Sequence, residues 1–218
     1  MAGIFAKIPS YGMDVIELTK SENTVYLPSN ISALNGMEFE GYCEMECLYL
    51  PKSIKSVRWN GICRASFKRF IVEEGHDSLE TIDGLLYSKL GFDRDSKRNS
   101  TKWKELIACP TLVNRVVVPN GVTKIANCCF KGSSVSEIVL PDGLIEIGDN
   151  SFYEAPYLKS IKIPTTINKI GGNKVCSSVE IEYGGFIFSG WHMLIEYLLA
   201  NGFVSIPNTK TIIRSKIE

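Results

Sequence analysis

The sequence predicts a repeat solenoid, in which short strands from successive coils form a parallel sheet on one face. Five prolines recur at separations of 22 or 23 residues, apart from one gap of 68 that is close to three periods. At offsets −3, −1, +3, +6 and +11 from each proline every residue is apolar, although hydrophobic residues make up only 44% of the chain. Self-similarity at a fixed period indicates a repeat architecture. The prolines are Pro28, Pro51, Pro119, Pro141 and Pro164.

Each repeat contains the parts of one coil. The −3 and −1 residues alternate with −2, which predicts a short strand with one inward face. Proline ends that strand because it lacks the N–H of a further ladder bond. The +3 and +6 residues then return across the back of the coil, and the +11 residue fills its interior. The frame residues are Val25, Leu27, Ile31, Leu34, Phe39; Leu48, Leu50, Ile54, Val57, Ile62; Val116, Val118, Val122, Ile125, Phe130; Ile138, Leu140, Leu144, Ile147, Phe152; and Ile161, Ile163, Ile167, Ile170, Val175.

The repeat, with the middle segments Ile82–Ser88 and Leu106–Pro110, resembles the BspA-like (Treponema pallidum-type) leucine-rich repeat family over about residues 25–182. The resemblance implies a leucine-rich-repeat stack with a β-hairpin insert at about 73–115. Two features depart from the family pattern. The long stretch Gly91–Lys104 lies within the hairpin, and Glu38 precedes the interior aromatic residue of the first repeat.

The two ends of the chain lack the repeat frame. We expect residues 1–24 to form an N-terminal cap and 183–218 a C-terminal cap, since terminal repeats must cover open core rows. A helix is predicted at about 190–201, with Ser189 as its N-cap and Asn201-Gly202 as its stop. A partner-binding role for this helix is the alternative to capping.

Composition narrows the class of partner. Lys plus Arg equals Asp plus Glu, at 24 each, which argues against a nucleic-acid partner bound by bulk charge. The sequence contains no run of 18 apolar residues, so no transmembrane segment is predicted. Seven cysteines argue against a closed disulfide framework. The odd thiol count and the N-terminal residues favour the cytoplasm, whereas the family resemblance implies a secreted or cell-surface protein if a signal peptide was removed.

Catalytic and metal-binding patterns are weak. Cys43 and Cys47 have ligand-like spacing, but the only other close pair is Cys128-Cys129, and adjacent thiols seldom both reach one metal. No hydrolase, nucleotide-binding or zinc-protease motif occurs. We therefore predict no cofactor and no enzymatic activity. A thiol nucleophile near His76 or His192 remains the alternative, because such pairs are spatial rather than sequential.

The −2 residues of the repeats are the candidate binding residues, because the alternation that buries −3 and −1 turns −2 outward. They are Tyr26, Tyr49, Val117 and Val139, joined by Ile71 on the leading strand of the insert and followed by Lys162. An exposed apolar stripe commonly marks a contact surface. Strand propensity, or burial beneath the insert or the caps, are the alternative explanations. Trp103, in the mixed-charge loop of the insert, is a second candidate anchor.

These features favour a non-catalytic scaffold that binds a protein or other macromolecule through the exposed sheet face and the hairpin insert. The family resemblance implies the same role, since proteins with these repeats are often bacterial or protozoan surface proteins implicated in adhesion. Two alternatives remain: a thiol-dependent enzyme and a purely structural, self-associating module. Neither the partner nor the oligomeric state follows from the sequence.

Overall fold

The computed structural model describes residues 4–7, 15–21, 23–89, 91–92, 99–100, 104–173, 175 and 178–215. The chain divides into two compact units, Met1–Leu112 and Val113–Glu218, called here the N-terminal unit and the C-terminal unit. In both units successive repeats pair strand to strand in parallel. The repeat solenoid predicted from the sequence is therefore confirmed.

The strands of the N-terminal unit are β1 (Ile4–Lys7), β2 (Val15–Ser21), β3 (Thr24–Tyr26), β4 (Ala33–Glu44), β5 (Cys47–Leu50), β6 (Ser56–Ser66), β7 (Arg69–Val72), β8 (Leu79–Ile82), β9 (Leu85–Ser88), β10 (Gly91–Phe92), β11 (Asn99–Ser100) and β12 (Lys104–Ala108). The strands β3, β5 and β7 pair in parallel and form the front sheet of this unit. On the returning side, β4 and β6 also pair in parallel. The coils thus carry a second sheet where the sequence predicted only a returning segment. Antiparallel β1 and β2 join the two sheets, since β1 pairs with β4 and β2 pairs with β3.

The predicted hairpin insert is present. Strands β9 and β12 pair antiparallel, with Leu106 opposite Tyr87, and β8 adds a third antiparallel strand on β9. Within the long stretch that departs from the family pattern, β10 and β11 form a further antiparallel pair. Trp103 lies outside the described residues, so its candidacy as an anchor stays a prediction.

The C-terminal unit contains β13 (Arg115–Val117), β14 (Val122–Ile125), β15 (Glu137–Val139), β16 (Glu146–Ile147), β17 (Ser160–Ile163), β18 (Lys169–Ile170), β19 (Glu180–Tyr183), β20 (Phe186–Ser189), α1 (Trp191–Ala200), β21 (Phe203–Ser205) and β22 (Ile212–Arg214). Its front sheet is the parallel series β13, β15, β17 and β19, and its back sheet is the parallel series β14, β16 and β18. Each series ends on an antiparallel strand, β20 on β19 and β22 on β18, and β21 pairs with β22.

The apolar frame forms the core of both units. Every frame residue with a described side chain is buried except Val175, which is half-buried. The side chains of Phe39 and Ile62 lie outside the described set. Burial of a residue at the same offset in successive coils produces continuous internal rows, which a single coil could not enclose.

The predicted C-terminal helix is α1, and it packs on the core through Trp191, Leu194 and Leu198. The prediction of Ser189 as N-cap is wrong, because Ser189 is the last residue of β20 and Gly190 is the N-cap, at φ 81°. Glycine adopts that left-handed conformation without the steric cost that a serine would incur. The limits predicted for the two caps remain predictions.

Candidate functional site

The outer face of the N-terminal front sheet presents three of the predicted binding residues in one row. Parallel pairing places Tyr26 beside Tyr49 and Tyr49 beside Ile71. Their sequence neighbours Val25, Leu48 and Phe70 are buried, as alternation along a strand requires. We call Tyr26, Tyr49 and Ile71 the tyrosine row.

The two tyrosine rings contact each other and remain open to solvent. Their centroids lie 5.0 Å apart with planes tilted by 39°, a separation typical of favourable aromatic pairs. Tyr26 is 37% exposed and Tyr49 is half-buried, so the insert does not cover this pair. Burial, followed by the nearby Glu73 carboxylate, raises the pKa of Tyr49. Its phenol therefore stays protonated and can donate a hydrogen bond.

Two groups that sequence analysis missed flank the tyrosine row. Arg69 is exposed at the start of β7, and its Nε donates to Cys47 Sγ at 2.9 Å. At the other end of the strands, the Glu73 carboxylate accepts the backbone N–H of Lys52 at 2.8 Å. The signal for Arg69 was available, because residues 69 and 71 share one face of a strand. A tyrosine pair beside an arginine matches the composition of interface hot spots.

The C-terminal front sheet presents the other two predicted residues as a pair. Val117 and Val139 are neighbours in the parallel register and are 48% and 40% exposed. We call them the valine row. Next along the same register, Lys162 and Glu182 form an ion pair at 2.6 Å. This face is therefore a small aliphatic patch bordered by paired charges rather than a long apolar stripe.

The described thiols are poor candidates for a nucleophile. Cys47, Cys109 and Cys129 are buried. Burial raises the pKa of both Cys109 and Cys128, which lowers the thiolate fraction on which cysteine reactivity depends. His76 is buried with Nδ1 occupied by backbone donors, while His192 is exposed beside Glu196. Over the described ranges, no group of three or more potential ligands could hold a metal ion.

His76 forms a local clamp between β7 and β8. Its Nδ1 accepts the backbone N–H groups of Ser78 and Leu79, both at 3.2 Å, and the residue is only 1% exposed. A protonated imidazole is a donor at both nitrogens, so protonation would abolish both bonds. Burial foremost, and then the positive charge of Lys55, lowers the pKa of His76 in the folded protein.

We expect the free energy of unfolding to decrease in mild acid because of His76. Its folded-state pKa lies below the ordinary value of about 6.5, so the unfolded chain binds the proton first. The stabilisation is complete above about pH 6.5 and is lost as the pH falls through the folded-state pKa. Urea unfolding at stepped pH should show a steeper decrease for wild type than for His76→Asn, which keeps a short acceptor but does not titrate. His192→Asn is the matched control, and equal pH profiles for wild type and His76→Asn would refute the clamp.

The repeat geometry agrees with a known family. Residues 108–189 match the family model described as the BspA type leucine-rich repeat region, in six copies. The similarity to a BspA-type leucine-rich repeat region is thus shown for residues 108–189. The match begins within β12, so the assignment of coils in the N-terminal unit depends on its own apolar frame and parallel strand pairing.

Three solved structures of bacterial proteins are similar to part of this chain. A leucine-rich repeat protein from Eubacterium ventriosum aligns with a TM-score of 0.52 at 18% identity, over 63% of this chain and 36% of that one. The pneumococcal vaccine antigen PcpA aligns with a TM-score of 0.40 at 23% identity, over 63% of this chain and 39% of the antigen. A leucine-rich cell surface protein from Faecalibacterium prausnitzii aligns with a TM-score of 0.39 at 18% identity, over 71% of this chain and 45% of that protein.

The similarity to the Eubacterium ventriosum protein concerns the fold alone. The chain spans less than half the length of each of these structures. No curated protein matches it. Among the helices in the described part of the chain, none is long and apolar enough to cross a membrane.

Proposed function

We propose that this chain is a non-catalytic protein-binding scaffold whose principal anchor is the tyrosine row. The observation that carries the proposal is the exposed tyrosine pair, held on a paired sheet between the Arg69 cation and the Glu73 carboxylate. The BspA-type region supports it, because stacked repeats provide extended surfaces suited to macromolecules.

The front sheet of the N-terminal unit holds the tyrosine row in a fixed position, which favours binding of a partner. The tyrosine row runs across the parallel strands β3, β5 and β7, above side chains that are at most 2% exposed: Val25, Leu48 and Phe70. Tyrosine offers a large contact area with few rotatable bonds, so little entropy is lost when a partner binds. Arg69 adds a planar donor group that suits a partner carboxylate or carbonyl. A partner with an apolar knob beside an acidic group fits this arrangement.

The expected result of Tyr49→Ala is weaker binding at unchanged stability. The wild-type protein and Tyr49→Ala, each immobilised as bait, are exposed to a lysate of the native host. The wild type should retain a protein that Tyr49→Ala retains less well. The affinity of that protein, purified, should decrease by at least about fivefold, equivalent to about 1 kcal/mol. The thermal midpoint should stay nearly constant, since the ring is only half-buried.

Tyr49→Phe is the matched control, because it keeps the ring and removes only the phenol oxygen. It should retain most of the affinity if ring contact area dominates. Unchanged binding by Tyr49→Ala with a lowered thermal midpoint would show instead that the tyrosine row is structural. The valine row and the insert with Trp103 would then be the next candidate surfaces.

A further inference from the structure

An open groove of about 920 Å³ lies at the start of the front strands in the C-terminal unit. Its lining combines apolar surface from Pro156 and Tyr157 with polar side chains that include Asn114, Ser134, Ser136, Lys159 and Glu180. None of these residues belongs to the tyrosine row or the valine row. The groove is therefore separate from the surface proposed above.

The repeat geometry forms this groove and fixes its floor. Asn114, Ser136 and Lys159 each lie five residues before the proline of their repeat. Their backbones are bonded coil to coil: the N–H of Ser136 donates to Asn114 O at 2.8 Å, and that of Lys159 donates to Ser136 O at 3.2 Å. Neighbouring coils are about 4.8 Å apart. The groove thus offers three different polar groups, an amide, a hydroxyl and an ammonium group, at a regular short interval.

The side chains of the groove suit a ligand rich in hydroxyl groups. Serine and tyrosine hydroxyls both donate and accept, as do the hydroxyls of a sugar, and an asparagine amide offers both functions. The Ser136 hydroxyl donates to Asn114 O at 3.0 Å, so it would accept a hydrogen bond from the ligand. Pro156 and Tyr157 are exposed beside them, and Tyr157 is 62% exposed. An exposed phenol ring provides a flat apolar surface with a polar tip. One cation, Lys159, and one carboxylate, Glu180, leave the lining without net charge.

The same groove is poorly suited to a peptide. Peptides commonly bind by adding a strand to a free sheet edge or by placing apolar side chains in pockets. Here β15 and β17 each pair with two neighbours, so they offer no free edge. Leu158, an apolar lining residue, is only 5% exposed. The edge strand of this sheet, β13, begins beside Asn114, so strand addition would be confined to one end of the groove, and the described lining residues form no deep apolar pocket.

We propose that this groove binds a neutral oligosaccharide, with Tyr157 as the stacking platform and the Ser134, Ser136 and Asn114 side chains as hydroxyl partners. The site is a second binding function, independent of protein recognition by the tyrosine row. Failure of the Tyr49 experiment would leave it intact.

Isothermal titration calorimetry of the full chain against maltotetraose, cellotetraose, chitotetraose and mannotetraose tests the proposal. At least one tetrasaccharide should bind at up to millimolar concentration. Tyr157→Ala should weaken that binding by about threefold to tenfold, and Tyr157→Phe should retain it. Phe186→Ala is the matched control, since Phe186 is an equally accessible aromatic residue, 56% exposed, that does not line the groove.

Three outcomes would overturn the proposal. The first is the absence of binding by every tetrasaccharide. The second is an equal loss of binding in Tyr157→Ala and Phe186→Ala, which would place the ligand elsewhere or show nonspecific contact. The third is Tyr157-dependent binding of a flexible glycine–serine peptide without any saccharide binding, which would make the groove a peptide site.

Discussion

Replacement of Phe152 with alanine should lower the free energy of unfolding by roughly 3–5 kcal/mol. Phe152 is 1% exposed and stacks on Phe130, with ring centroids 5.5 Å apart and planes 13° from parallel. On its other side, the ring of Trp191 on α1 lies 5.6 Å away. Truncation would remove one layer of the interior aromatic column and leave a cavity between its neighbours. Urea denaturation measured by circular dichroism provides the free energy.

Phe186→Ala is the control for this substitution, because it removes the same atoms from a ring that is 56% exposed. It should cost less than about 1 kcal/mol. A loss below about 1 kcal/mol for Phe152→Ala would contradict its placement in the column, since buried phenylalanines do not tolerate truncation so well.

Gly148→Ala should destabilise the C-terminal unit by about 3 kcal/mol, although it adds a single methyl group. A Cβ at this position would lie 2.4 Å from Asn127 Oδ1 and 2.5 Å from Asn127 N, in the preceding coil. Backbone atoms cannot rotate away as a flexible side chain can, so the two coils would have to separate. That separation would also disturb the hydrogen bond from Asp149 N–H to Asn127 Oδ1, which is 2.8 Å long.

Gly143→Ala is the matched control within the same repeat. A Cβ there meets nothing within 4 Å, and its φ lies outside the left-handed region. Alanine should therefore be neutral or stabilise by about 0.4–1 kcal/mol, through lower entropy of the unfolded chain. Thermal unfolding of the two variants side by side tests this, and similar midpoints would refute the close approach at Gly148.

Gly148 explains why the repeat includes a small residue after the +6 position. Gly171 occupies the same position one coil later, and a Cβ there would lie 2.4 Å from Asp149 N. Asparagine and aspartate side chains complete the contact between these coils, since Asp149 Oδ1 accepts the N–H of Gly172 at 2.8 Å. In the N-terminal unit the equivalent residues are Asn35 and Arg58. There the long strands β4 and β6 replace the tight turn, with shifts in their register.

The zero net charge also has a structural explanation. Several opposite charges face each other between neighbouring coils, such as Arg115 with Glu137 at 3.1 Å and Lys162 with Glu182 at 2.6 Å. Three charged residues on the back sheet of the C-terminal unit are less exposed than these pairs. Glu146 Oε1 lies 2.9 Å from Lys169 Nζ and 3.8 Å from Lys124 Nζ. Exposed pairs stabilise little, about 0–1 kcal/mol each.

The sequence by itself determined where each coil of the solenoid lies in the chain and which of its residues are buried. Proline spacing and the apolar frame identified the repeats, and alternation within each strand showed that Tyr26, Tyr49, Val117 and Val139 turn outward. These inferences succeed because they depend only on local geometry: successive strand residues face opposite sides, and buried rows must be apolar. The helix α1 was predicted for the same reason, from its local pattern of apolar and turn residues, whereas the hairpin insert was predicted from the resemblance to the leucine-rich repeat family.

The tertiary structure was needed to identify the groups that lie beside the outward-facing residues. The second parallel sheet, the Arg69 and Glu73 groups that flank the tyrosine row, and the groove near Tyr157 all depend on the register between coils. The repeat frame aligns residues at equal offsets, but strand β7 has no frame proline to fix its offset, and the frame does not show which outward side chains border an open groove. Ser189 shows the same limit, since pairing of β20 with β19 moved the helix cap to Gly190. Strand register is a property of the packed stack, because it is set by which side chains fill the shared core.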